Sequence, residues 1–254
     1  MPLFRRRLAA LGAGGLALGL ARTAAAADFR ILAAGAVRLA VEGLGPAFGA
    51  RAGHRVEMVV DTVGAIRDRA LAGEKADVVL LSAPALKALD EKGRLAPGSI
   101  RIIGRTGVGL AGPKGGPAID VSTPDALRTA LLAAPTIGYA DPARGPTAGI
   151  HFHAVLQRLG ILDQVAARTV LRPTGIEVVD AVAAGQVALG ASQVTEIAAH
   201  PGARLVGLLP ESLQLWTAYG VAVLAPGSDA ASAFVGSLFA PEGEAAFRRI
   251  GFEN

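Results

Sequence analysis

The sequence predicts an α/β fold of two lobes, each built on a mostly parallel sheet and joined by crossover strands. Three observations carry this prediction. Short apolar runs alternate with stretches of about ten residues at helical spacing, the pattern of βαβ units. The alternation runs its course twice, on either side of the glycine- and proline-rich segment "GVGLAGPKGGPAIDV" (107–121). The chain of 254 residues also has length for two such units, at about 100–200 residues per domain. Lobe one is expected from residues 28–109 with 219–254 and lobe two from 110–218, the chain crossing near Val108–Gly112 and returning near Trp216–Val223.

The elements follow in order. "FRILAAGA" (29–36) reads as a buried strand, and Val37, Val41, Leu44 and Phe48 then mark one face of a helix. "HRVEMVVD" is a second strand, "GAIRDRALAG" a short helix closed by Gly73, and "ADVVLLSA" a third strand rich in branched residues. "PALKALDEKGRL" has proline at a helix start and glycine near its end. Beyond the break, "STPDALRTALLAA" starts a helix with Thr123 as N-cap and Pro124 at the first helical position. "PTIGYAD", "RTVLRP" and "VALGAS" are strands separated by the helices "TAGIHFHAVLQRLG" and "IEVVDAVAAG". "ARLVGLLP" and "LQLWTAYGVAVLAPG" complete the strands, and "DAASAFVGSLF" and "EGEAAFRRIG" end the chain as helices.

Ahead of this fold stand three arginines, an apolar run from Leu8 to Ala21 and a small-residue tract. That order is the n-region, h-region and A-x-A site of a secretory signal, with cleavage expected near Ala27. The run falls short of the ~20 residues that anchor a helix in a bilayer. "RRRLAAL" fits both the general and the twin-arginine export routes. Either route predicts a periplasmic protein. Arg5, Arg6, Arg7 and Arg22 account for the whole formal charge of +4, so residues 28–254 are neutral. No electrostatic case for nucleic acid remains. With no cysteine in the chain, disulfides, thiolate nucleophiles and thiolate metal ligands are excluded.

Ligands of open parallel sheets sit beyond the carboxyl ends of the strands, where helix N-termini point. The cleft between two such lobes is therefore the expected site. The residues there also carry a resemblance. The order of "ILAAGAVRLAVEGLGPAF", "VVDTVGAIRDRALAGEKADVVLLSAPALKALDEKGRL", "IGYADPARGPTAGIHFHAVLQRLGI" and "VVDAVAAGQVALGASQVTE", with a C-terminal "GF", resembles the molybdate-binding-like branch of type II periplasmic solute-binding proteins. The resemblance spans the chain after the signal. It implies a two-lobed, hinged protein that closes on a small anion and delivers it to the membrane subunits of an ABC transporter; the neutral charge and the two-lobed fold favour a monomer.

The branch's molybdate binders carry serines in the turns after the first two strands and a tyrosine near the last matched strand. Here those places read Ala36, Gly64 and Gln193. Arginines lie close by: Arg38, Arg67 and Arg144. Neutral donors at helix ends suffice for a tetrahedral oxyanion, whereas the planar fork of arginine suits carboxylates. The expected ligand is therefore an organic di- or tricarboxylate, ahead of molybdate or tungstate. Its expected contacts are Ala36, Val37 and Arg38; Thr62, Gly64, Ala65 and Arg67; Ser82; and Arg144, Thr147, Ala148, Gly149, His151 and Gln193.

Phe152, Val155, Leu156 and Leu159 form the buried stripe of their helix. His151 and His153 then project about 100° to either side of Phe152 and cannot share a metal ion. No metal and no cofactor is expected. His151, nearer the helix mouth, is the expected cleft member. An aconitate isomerase shares the resembled scaffold and gives the alternative function, a cofactor-free 1,3-proton shift along a tricarboxylate. That chemistry needs a base and groups that hold the enolate charge. His151 is the candidate base, and Asp61, closing the second strand, and Glu196, after "SQVT", are the other candidate bases.

Overall fold

In the computed structural model, residues 27–198 and 200–253 are described. The expected signal segment lies outside the described residues. The first lobe begins β1 (Ala27–Ala34), α1 (Arg38–Ala52), β2 (His54–Asp61), α2 (Val63–Leu71), β3 (Val78–Ser82), α3 (Ala83–Glu91) and β4 (Arg101–Thr106). The chain then crosses into β5 (Val108–Pro113), α4 (Pro124–Ala133), β6 (Ile137–Ala140), α5 (Thr147–Arg158), α6 (Leu162–Val165) and β7 (Thr169–Arg172). The second lobe closes with α7 (Gly175–Ala183), β8 (Leu189–Gln193), α8 (Val194–Ala198) and β9 (Ala203–Leu208). The return supplies β10 (Thr217–Val223), α9 (Asp229–Leu238) and α10 (Pro241–Arg249) to the first lobe.

The two five-stranded sheets have the orders β2-β1-β3-β10-β4 and β7-β6-β8-β5-β9. Each has three parallel strands. The fourth, antiparallel to both neighbours, is the strand arriving from the other lobe. Both sheets are therefore mixed, and the two connections between lobes enter equivalent places. β3 is buried at all five positions, as a central strand covered on both faces must be. The tilted rings of Phe29, Phe48 and Phe234, with centroids 5.2–5.3 Å apart, fix α1 and α9 against the first sheet. Phe152, Val155 and Leu156 seat α5 on the second.

The crossing is at Gly107, and the return runs through Gln214–Trp216. Gln214 ties the two passages together. Its Oε1 accepts from Val108 N–H at 2.8 Å and Leu215 N–H at 2.9 Å, while Nε2 donates to Val108 O at 3.0 Å. A side-chain amide thus does for the two linker strands what a ladder bond does inside a sheet. Each linker is short, which suits lobes that rotate as bodies about it.

Candidate functional site

The strands that end at Ala34, Asp61, Ala140 and Arg172 lead into α1, α2, α5 and α7, whose first turns converge on one interlobe cavity of about 290 Å³. Side-chain caps set two of these starts. Thr62 caps α2 by accepting Ala65 N–H at 3.1 Å, and Thr174 caps α7 by accepting Glu177 N–H at 3.2 Å while donating to Glu177 Oε1 at 3.1 Å. Helix N-terminal turns present N–H groups and the positive end of the helix dipole, so their convergence is suited to an anion.

A bridge between lobes separates this cavity from a wider outer chamber of about 810 Å³. Gly64 N–H donates to Gly145 O at 3.1 Å, and Thr62 Oγ1 donates to Arg144 O at 2.6 Å. The approach is possible only without side chains: a Cβ on Gly64 would stand 2.9 Å from Gly145 Cα. Gly145 has φ 76°, the left-handed region that glycine enters without strain.

Of the expected contacts, Ala36, Arg38, Thr62, Thr147, Ala148 and Gln193 line the inner cavity. Val37 is wholly buried in the first core. The N–H groups of Gly64 and Ala65 are already engaged, by Gly145 O and Thr62 Oγ1. Gly149 packs α5 against the Ala140 carbonyl at the end of β6. Ser82, Arg67 and His151 border the outer chamber instead. Arg67 is paired there with its neighbour Asp68 at 2.7 Å. Arg144 is exposed, with its guanidinium 4.0 Å from Asp61.

The two histidines diverge as their helical angles require. His151 Nε2 donates to Leu213 O at 2.7 Å, and His153 Nδ1 lies 3.1 Å from the Tyr139 hydroxyl. Among the described residues no cluster of histidine and acidic side chains could hold a metal ion.

The floor of the inner cavity brings Gln193, an expected contact, and Glu196, a candidate base, together with Tyr219, which lay outside the expected set. Glu196, in the first turn of α8, presents its carboxyl there beside Gln193 and Tyr219. Oε2 accepts the Ser192 hydroxyl and Gln193 N–H. Burial pushes this carboxyl above the usual glutamate range, against those two hydrogen bonds and the Arg38 charge, which pull it down. Burial and the nearby Glu196 likewise push the Tyr219 phenol up. The Tyr219 hydroxyl accepts from Gln193 Nε2 at 3.4 Å, leaving Gln193 Oε1 buried without a partner. The capping-box spacing of Thr174 and Glu177 marks a helix mouth in the sequence. Tyr219 has no such mark, because only its register opposite Ser82 turns it toward the cleft.

With this geometry in view, the comparisons with known proteins are consistent. Aconitate isomerase of Pseudomonas sp is 30% identical over 228 residues, covering 86% of this chain and 85% of that protein. The periplasmic molybdate-binding protein of Azotobacter vinelandii superposes with a TM-score of 0.73 at 18% identity, covering 89% of this chain and 99% of that one. The sulfate-binding protein SubI of Mycobacterium tuberculosis H37Rv gives 0.67 at 18% identity, covering 89% and 86%. Residues 29–253 match the bacterial extracellular solute-binding protein family, and the chain belongs to it.

Proposed function

We propose that this protein works in the periplasm as a monomer, captures a small organic carboxylate in the inner cavity by closing its two lobes, and hands it to an ABC transporter. The observation that supports this most is the convergence of four helix N-termini, two from each lobe, on one interlobe space. An anion there is held by both lobes and so favours the closed form. At about 290 Å³, the cavity sits at the lower edge of small-molecule pockets, ~300–1,000 Å³. A tetrahedral oxyanion would leave much of it to water, whereas a compact di- or tricarboxylate fills it. Arg38, with Nε buried and unpartnered, supplies the guanidinium.

A thermal-shift panel of molybdate, tungstate, sulfate, phosphate, citrate, tricarballylate and both aconitates tests the reading. A ligand at 100 times its Kd adds about 2.7 kcal/mol of stability. The tricarboxylates should shift the transition, and a shift by molybdate or sulfate alone would refute the carboxylate assignment.

A second reading, aconitate isomerisation, is supported by the isomerase relative and by Glu196 Oε1 facing the cavity. In it Glu196 takes a proton from the carbon beside one carboxylate, breaking C–H and forming O–H. The double bond migrates, and the proton returns to the other end of the three-carbon unit. Glu196 fits this step better than His151, whose Nε2 is committed to Leu213 O. Proton NMR of cis-aconitate incubated with the protein tests it: the trans isomer should accumulate, and an unchanged spectrum sinks this reading.

A further inference from the structure

We infer that Glu196 couples ligand capture to a proton: the anion enters the closed inner cavity together with one proton, which rides on Glu196 Oε1 and is donated to the ligand. This rests on the proposal that the cavity binds a carboxylate, and it adds the residue that decides in which charge state the site accepts one.

The geometry is asymmetric. Oε2 is saturated by Ser192 and the Gln193 N–H. Among the described residues Oε1 has no such donor, and the carboxyl is wedged between the lobes, since a Cβ on Gly35 would collide with Oε1 and one on Gly175 with Oε2. Glu196 thus stands where the first turns of α1 and α7 meet, the place an incoming anion needs. An ionised Oε1 would repel it. A protonated Oε1 is a hydrogen-bond donor aimed at it.

Among the described residues that line the cavity, Arg38 is the one cation. On the elements packed against α8, the titratable side chains are Glu177 and Asp180 of α7, Arg204 of β9 and Arg38 at the start of α1. Asp180 pairs with His200 at 3.2 Å, and Arg204 is bonded to the Pro117 carbonyl. Three acidic residues, Asp61, Glu177 and Glu196, line the same cavity as Arg38, with Tyr219 beside them. Arg38 is further shared with Glu42 at 3.4 Å. Burial already raises the Glu196 carboxyl, and a second negative charge raises it further. The sign follows: the protonated, binding-competent form is complete below that raised value and is lost as pH rises through it.

The test is calorimetric titration with tricarballylate from pH 5 to 9, in buffers of differing ionisation enthalpy. The wild-type protein should take up about one proton per ligand, and its Kd should weaken toward tenfold per pH unit at the alkaline end. Glu196→Gln, which keeps a donor but cannot titrate, should bind with no proton uptake and a flat profile. Glu196→Asp should bind more weakly yet still take up the proton. Binding by wild type without proton uptake, or equal uptake by Glu196→Gln, overturns the inference and leaves the carboxylate reading intact. No binding of tricarballylate at any pH overturns both.

Discussion

Replacing Gly64 by alanine separates closing from folding, because Gly64 meets a crowded surface only across the lobe boundary. The added Cβ would lie 2.9 Å from Gly145 Cα and 3.2 Å from the carbonyl oxygens of Arg144 and Gly145. Carbon contacts are comfortable from about 3.5 Å, so the lobes must part by roughly 0.6 Å. That stretches the Gly64–Gly145 bond of 3.1 Å and the Thr62–Arg144 bond of 2.6 Å together. At about 0.5–1.5 kcal/mol for each hydrogen bond, the closed form loses roughly 1–3 kcal/mol. At about 1.4 kcal/mol per tenfold, tricarballylate should bind about five- to 150-fold more weakly. In the open form the methyl meets nothing across the boundary, and alanine in a helix is better than glycine by up to about 1 kcal/mol. Titration calorimetry should show the loss, and the ligand-free Tm should stay level or rise. An affinity within twofold of wild type would refute the claim that this bridge belongs to the binding-competent form. Gly145→Ala is the contrast: its φ of 76° adds about 1–2 kcal/mol of backbone strain, so affinity and Tm should fall together.

Three further outcomes follow from the same geometry. Tyr219→Phe keeps the edge-on packing against Phe252, at 5.8 Å between centroids, but removes the cavity hydroxyl; calorimetry should show binding about two- to tenfold weaker, for about 0.5–1.5 kcal/mol. Gln214→Leu strands the N–H groups of Val108 and Leu215, and urea unfolding should show a loss of about 1–3 kcal/mol. His153→Ala removes the partner of the Tyr139 hydroxyl and should cost roughly 1 kcal/mol in Tm-derived stability with ligand Kd unchanged, since His153 lies outside both chambers.

Hydrophobic spacing, with glycine, proline and cap signals, marked most of the segments that became strands and helices, but not the short helices α6 and α8. β2 occupies the eight residues of "HRVEMVVD", and Thr123 caps α4 where an N-cap residue precedes Pro124. The 3.6-residue repeat likewise settled that His151 and His153 leave α5 on different sides, because that angle is a property of the helix and not of its surroundings. The convergence of helix starts on a cleft was legible for the same reason, being a rule of strand–helix connections. Which side chains face the cavity was legible in part: Ala36, Arg38, Thr62, Thr147, Ala148 and Gln193 were expected there, whereas their assembly with Glu196 and Tyr219 was not. Tyr219 and Glu196 lie far in sequence from Arg38 and Gly35, and meet them only through sheet register and the docking of one lobe on the other. Gly64 and Ala65, read locally as free donors, prove to be engaged. One bond is a cap, which the sequence pattern could have disclosed; the other crosses to Gly145, which it could not. The sequence by itself determined the lobes and the mouth of the cleft, because those depend on contacts within about a helical turn or a strand. Only the tertiary structure decided the floor of the cleft and the charge balance there. Burial, hydrogen-bond partners and carboxyl protonation are properties of residues brought together from both lobes.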